Sequence, residues 1–377
     1  MRTGKFIFVL IFIFIVSFIG FTQAQDNKSD AITIESLEFI PAYGFKDIFT
    51  YIKSSGKLTI KNNTKDPINN LKFIIEIKEK NGLDWKKVSE GVVGISAGRQ
   101  RAFDFNYLFD KPGEYVSRVK LDSDIFKKEI IANEKKLIVN RNVNIRPVKF
   151  DFISKDNKKE LTVPVDGEFN LTLINNGKDA SSEFKYRILI DGKAIGSDIV
   201  VKSLDVNKKE VFKVNHRFEV NQGGRHVIEA IVDPDNELKE TRKDDGFITK
   251  EIIVYFTDVS LDSVKLILPE KTIELSKYKD TVEITNGITA TLSIKVKNQG
   301  NMAVKKLDGE VSICGDKIPF SLKDILPNGG SKTYEFSYKF KNKGGCDLSV
   351  FLDRDNLLAE SDKDNNKFSA KSNIEIK

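Results

Sequence analysis

Three times along the chain two aspartates and a glutamate recur at the spacing D-x-D-x4-E: Asp122, Asp124 and Glu129; Asp233, Asp235 and Glu240; Asp353, Asp355 and Glu360. Such oxygen ligands suit calcium, a hard cation that gathers about six to eight of them. The same acids fit a second role. A carboxylate at a strand end accepts backbone N–H bonds and fixes the turn that follows, which explains its return in every unit. Turn-fixing is therefore the expectation and no metal or cofactor is expected. Asp233, Asp235, Glu240, Asp353, Asp355 and Glu360 stand as the calcium candidates, with Asp362 and Asp364 close to the last set.

Other chemistry is scarce. Two histidines, two cysteines and one tryptophan among 377 residues argue against a His-based hydrolase, a zinc enzyme or a haem protein. Gly94-Ile95-Ser96-Ala97-Gly98 satisfies G-x-S-x-G, but that elbow needs a strand-to-helix turn and a histidine partner, and this stretch leads into another strand. Gly329 to Thr333 lacks the spacing of a phosphate loop. No catalytic residue is assigned, and the chain is read as not an enzyme. Trp85 and the group Tyr43, Phe45, Phe49 and Tyr51 offer aromatic surface for a glycan or partner; core packing is the expectation for all five. Asn27, Asn62 and Asn170 begin N-x-S/T sequons.

The elements that position these residues repeat. An alternating strand ends on an Asn turn at Asn62 to Thr64, Asn175 to Gly177 and Asn298 to Gly300. Asn and Gly suit a left-handed backbone there. A turn then leads into a polar-aromatic strand from Ser96, Asp205 and Pro327, and a tight turn follows at Gly113, Gly224 and Gly344. From that turn a strand runs to Asp122, Asp233 or Asp353, with Tyr115, Ser117, Val119 and Leu121 facing inward in the first copy. His226, Ile228, Ala230 and Val232 do so in the second, and Cys346, Leu348, Val350 and Leu352 in the third, so His226 reads as an inward aromatic. In the second copy the strands are drawn at 147–153, 168–174, 183–190, 196–203, 210–219, 225–232 and 247–255. Short strands separated by Asn, Gly and Asp turns predict an all-β chain of three tandem immunoglobulin-like antiparallel β-sandwiches at 31–142, 143–256 and 257–377.

Residues 1–24 carry a basic start, an apolar run from Phe6 to Ile19 and Thr22-Gln23-Ala24, which reads as a signal peptide or an uncleaved signal-anchor helix. Either way the rest is expected outside the cytoplasm, secreted or at the cell surface, touching a membrane only through that segment. Thiols there tend to pair, so Cys314 and Cys346 are expected to form a disulfide. Strand parity places Cys314 with outward Glu310 and Ser312, and the bend at Gly315 resolves the conflict. The net charge of +6 includes Arg2 and Lys5 of the leader, and no basic stripe follows, so no nucleic-acid partner is expected.

At these residues the chain resembles the CARDB family, cell-adhesion-related modules of bacterial and archaeal surface proteins. LTLINNG, Gly223-Gly224 and IVDPDNELKETRKDD carry the likeness in the second copy, and FLDRDNLLAESDKDNN with Asn365-Asn366 in the third. The first departs at Ala132 to Lys136. The resemblance implies extracytoplasmic modules without catalysis. The expected function is a non-enzymatic adhesion or interaction module or structural spacer, whose partner is a protein or glycan at the cell surface. An accessory role for an extracellular enzyme or a surface-layer assembly is the alternative.

Overall fold

A computed structural model of the chain describes residues 31–122, 130–277, 280–370 and 374–377. The leader and its cleavage point lie outside the described residues, as do Asp124 and Glu129. Strands account for the regular structure. Two three-residue 3-10 turns, Val220–Gln222 and Asp364–Asn366, are the only helical pieces among the described residues. No described helix is long and apolar enough to cross a membrane.

The strands form because apolar residues fall on alternate positions. Val165–Asn175 buries every second residue, including Phe169, Leu171 and Leu173, and Thr289–Asn298 does the same with Leu292, Ile294 and Val296. A register slip of one residue would expose the whole set.

Contacts divide the chain into two units. The first comprises residues 31–48, 53–108 and 113–139. One of its sheets is Ile32–Ile40, Lys53–Asn62, Gln100–Leu108; the other is ordered Ile48–Phe49, Ile130–Asn140, Gly113–Asp122, Ile68–Glu79, Lys86–Ile95. Leu58, Ile60, Leu71, Ile75 and Leu121 form the core between them.

The second unit holds residues 49–52, 109–112 and 140–377 and contains two cores. Around Phe169, Leu171, Phe184, Tyr186, Ile228 and Val254 lie a sheet of Ile145–Ser154, Val165–Asn175 and Lys209–Phe218 and a sheet built on Phe184–Ile190, Gly224–Val232 and Phe247–Tyr255. Around Leu292, Ile294, Val311, Phe340 and Leu348 lie Val259–Ile267, Thr289–Asn298 and Gly330–Lys339, faced by Asp316–Ile325, Val304–Ile313, Leu348–Leu352 and Lys367–Ala370. The drawn strands of the second copy fall within a few residues of these, except that 196–203 shrinks to Ile199–Val201.

The repeated landmarks occupy repeated places. The strand ending on the turn asparagine pairs antiparallel with the polar-aromatic strand in every copy: Lys61 opposite Gln100, Ile174 opposite Lys209, Asn298 opposite Gly330.

Candidate functional site

Each turn asparagine is fully buried and makes the same bonds. Asn62 Nδ2 donates to the carbonyls of Asp66 (2.9 Å) and Ile95 (3.1 Å), Asn175 Nδ2 to those of Asp179 (2.8 Å) and Leu204 (2.9 Å), and Asn298 Nδ2 to those of Met302 (2.8 Å) and Ile325 (3.4 Å). The amide oxygen accepts from the backbone two residues on, at Thr64, Gly177 and Gly300. The left-handed backbone expected for these asparagines is corrected: none has a positive φ. Each instead serves its turn by donating to two carbonyls and accepting from the backbone with its own side chain shielded from water.

Left-handed backbone appears instead in the acid loops, at Asp233 (φ 47°), Asn236 (60°), Asp353 (46°) and Asn356 (56°). The Asp233 carboxylate accepts the amides of Glu237 (2.8 Å) and Leu238 (3.0 Å), and Asp353 those of Leu357 (2.9 Å) and Leu358 (3.0 Å). Both oxygens of each aspartate are thereby committed to the loop's own backbone. Burial nonetheless raises the Asp233 carboxyl above its usual range. Asp235 turns outward to Arg187 and Lys185, and Asp355 is exposed. The glutamates go the other way. Glu240 Oε1 accepts the amide of Ile145 at 2.7 Å and Glu360 Oε2 that of Val259 at 3.1 Å, each clasping the opening strand of its own sandwich. Burial pushes Glu240 up to about 7 and raises Glu360 as well. The three acids of the second and of the third set thus diverge instead of converging, and among the described residues no group of three or more His, Cys, Asp or Glu is placed to hold a metal ion. In the first copy Asp122 is exposed at its strand end.

Beside each clasp lies an amide–carboxylate pair whose members are exchanged. Asn144 Nδ2 donates to Asp245 Oδ2 at 3.2 Å, while Asn365 Nδ2 donates to Asp258 Oδ1 at 3.1 Å. Sequence reading missed both pairs, since their members lie 101 and 107 residues apart. Gly177 and Gly300 serve close approach: a Cβ on Gly177 would sit 2.2 Å from the Asn142 carbonyl oxygen, and one on Gly300 2.5 Å from that of Phe256.

The remaining candidates resolve individually. Cys314 and Cys346 form the expected disulfide, Cα to Cα 4.4 Å. Cys314 escapes strand parity because it has left-handed backbone, φ 49°, just past the end of Val304–Ile313. His226 packs on Phe218, with Nδ1 2.7 Å from Asp191 and Nε2 2.8 Å from the Gln222 carbonyl. Phe49 is buried, but Tyr43 and Tyr51 are exposed, and core packing is corrected for both. Trp85 is corrected too. It lies half-buried under the Arg118 guanidinium, 3.8 Å from the ring centroid, with Lys78 at 4.9 Å. Ser96 and Gly98 sit where Lys86–Ile95 crosses to Gln100–Leu108, with no helix following. Asn62 is too buried to carry a glycan.

The family model for CARDB matches residues 150–250 and 271–370, more than half of the chain. No curated protein sequence matches. Similar solved structures include a Pyrococcus furiosus CARDB domain crystallised in complex with di-metal ions, 20% identical, covering 30% of this chain and 89% of its own, with a TM-score of 0.26. The solution structure of that Pyrococcus furiosus domain is 20% identical over 32% of this chain and 96% of its own, TM-score 0.25. A red sea bream transglutaminase is 11% identical over 62% of this chain and 31% of its own, TM-score 0.22.

Proposed function

The chain belongs to the CARDB family, a cell-adhesion-related domain family, and from that premise we propose that it is an exported, non-enzymatic protein, secreted or held at the cell surface, that serves as an adhesion or interaction module or spacer. The observation that carries the reading is the fate of the repeated acids and amides. Asn175, Asn298, Asp233, Asp353, Glu240 and Glu360 all bond the chain's own backbone, which fits residues selected to hold sandwiches rigid and not to transform a substrate. The Cys314–Cys346 disulfide fits an oxidising compartment. The partner assigned is a protein or glycan engaged through loops and sheet edges, not nucleic acid.

Crosslinking on intact cells, with identification of the captured molecules, tests the reading together with N-terminal sequencing of the mature chain. A surface protein or glycan should be captured, and mature chain should begin at Gln25 if the leader is cleaved. Recovery of the chain solely from the cytoplasm would sink it. An accessory, glycan-binding role is supported by Tyr43, which stands fully exposed. Loss of polysaccharide retention in Tyr43→Ala would favour it.

A further inference from the structure

At the opening of the C-terminal sandwich Asp258, Glu360, Asn365 and Asn366 belong to one hydrogen-bonded network. Asn365 Nδ2 donates to Asp258 Oδ1 at 3.1 Å, Asn366 Nδ2 to Glu360 Oε2 at 2.9 Å, and the amide of Val259, next to Asp258, to that same Oε2 at 3.1 Å. Three oxygens of this network, Glu360 Oε1, Asn365 Oδ1 and Asn366 Oδ1, are buried and meet no donor. Glu360 is 3% exposed and Asn366 6%. An acceptor so placed ordinarily costs about 1–3 kcal/mol, and more when charged. Every orphan atom is an oxygen, and none is a nitrogen donor seeking an acceptor.

What answers a set of buried oxygens is positive charge. Lys363, the basic neighbour in the loop, donates its Nζ bonds to Asn356 Oδ1 and to the Leu358 carbonyl and reaches Glu360 only through its charge. The other charged neighbour, Asp353, is an acid and adds to the need. A water can donate to two oxygens only and must then find donors for itself. A hard cation prefers this mixture of carboxylate and amide oxygens. In the preceding sandwich Gly246 takes the place of Asn366, and two oxygens are left orphaned, Asn144 Oδ1 and Asp245 Oδ1.

We propose that Glu360, Asn365 and Asn366, together with Asp258, hold one calcium ion at the opening of the C-terminal sandwich, fastening the acid loop to the strand Val259–Ile267. The site shares only Glu360 with the D-x-D-x4-E set, whose Asp353 has both oxygens on backbone amides and whose Asp355 is exposed.

The test uses the full chain, stripped with chelator, and calorimetric titration with calcium chloride, with magnesium and sodium chloride as separate arms. One calcium should bind per chain, and millimolar calcium should raise the unfolding temperature by several degrees. Glu360→Gln should weaken binding about tenfold or more. Since that variant also loosens the grip on Val259, Asn365→Ser, which leaves the Glu360 bonds in place, should weaken it as well. Asp355→Asn should leave it unchanged. No heat and no thermal shift in the wild type would mean that water or a proton fills the oxygens, and would overturn the proposal. So would a calcium response that survives both Glu360→Gln and Asn365→Ser or disappears in Asp355→Asn.

Discussion

The side chain of Asn175 donates to two carbonyls and accepts from the amides of Gly177 and Asn144, all away from water. Asn175→Ala would strand those four groups and should lower stability by about 2–4 kcal/mol in urea unfolding, with Asn298→Ala behaving alike. An exposed asparagine such as Asn63 has no comparable effect to lose. Glu240 makes a different prediction, tied to pH. Burial raises its carboxyl from 4.5 to about 7, so the folded chain holds the proton more tightly than the unfolded one. The linked stabilisation is full below pH 4.5 and is lost as pH rises through about 7. Asp233 and Asp245 face this carboxyl with like charge, and Lys243 opposes them. The total is on the order of 3 kcal/mol at most, and Glu240→Gln should flatten the fall in unfolding midpoint between about pH 5 and about pH 8. The acids were legible as fixed features of every copy because their spacing survives in the sequence. Their partners were not, because Glu240 meets an amide 95 residues away and no local pattern encodes that distance.

Strands were the most legible elements, since alternation reports which side faces water and Val165–Asn175 alternates without a break. Where a side chain sits at an element's end the same argument fails. Cys314 turns through a left-handed residue, and Tyr43 and Tyr51 lie beyond the sheets, where hydrophobicity alone does not ensure burial. Trp85 escaped for another reason: an aromatic ring can be covered by the stems and heads of Arg118 and Lys78 without entering a core. The glycines after the turn asparagines make a prediction at this scale. Gly300→Ala would push a Cβ against the backbone of Phe256 to Asp258, and should destabilise by about 2–4 kcal/mol in denaturant. Gly246→Ala, whose Cβ would meet nothing nearer than 3.6 Å, should change little. A calcium-free loop with the Asp353 bonds intact should keep its turn, because those bonds need no ion.

Among the described residues three separate cores, one in the first unit and two in the second, take the place of a single cooperative centre. Calorimetry should resolve more than one transition. Reductant should move only the transition of the core that contains Cys346, since the disulfide closes a loop within it, and by on the order of 2–4 kcal/mol. The CARDB match covers the two sandwiches of the second unit, which is also where the acid loops are complete among the described residues. The exchanged pairs of these neighbouring sandwiches bear on how such similar halves avoid confusion while the chain is still unfolded. Were the segment bearing Asp258 to dock on the loop bearing Asp245, two carboxylates would meet where one amide and one carboxylate belong; the converse error would bring Asn144 against Asn365. Only the correct match joins acid to amide, and like-charge repulsion penalises the carboxylate–carboxylate error. Asp245→Asn removes the mismatch and should raise the yield of strand-swapped aggregates on refolding.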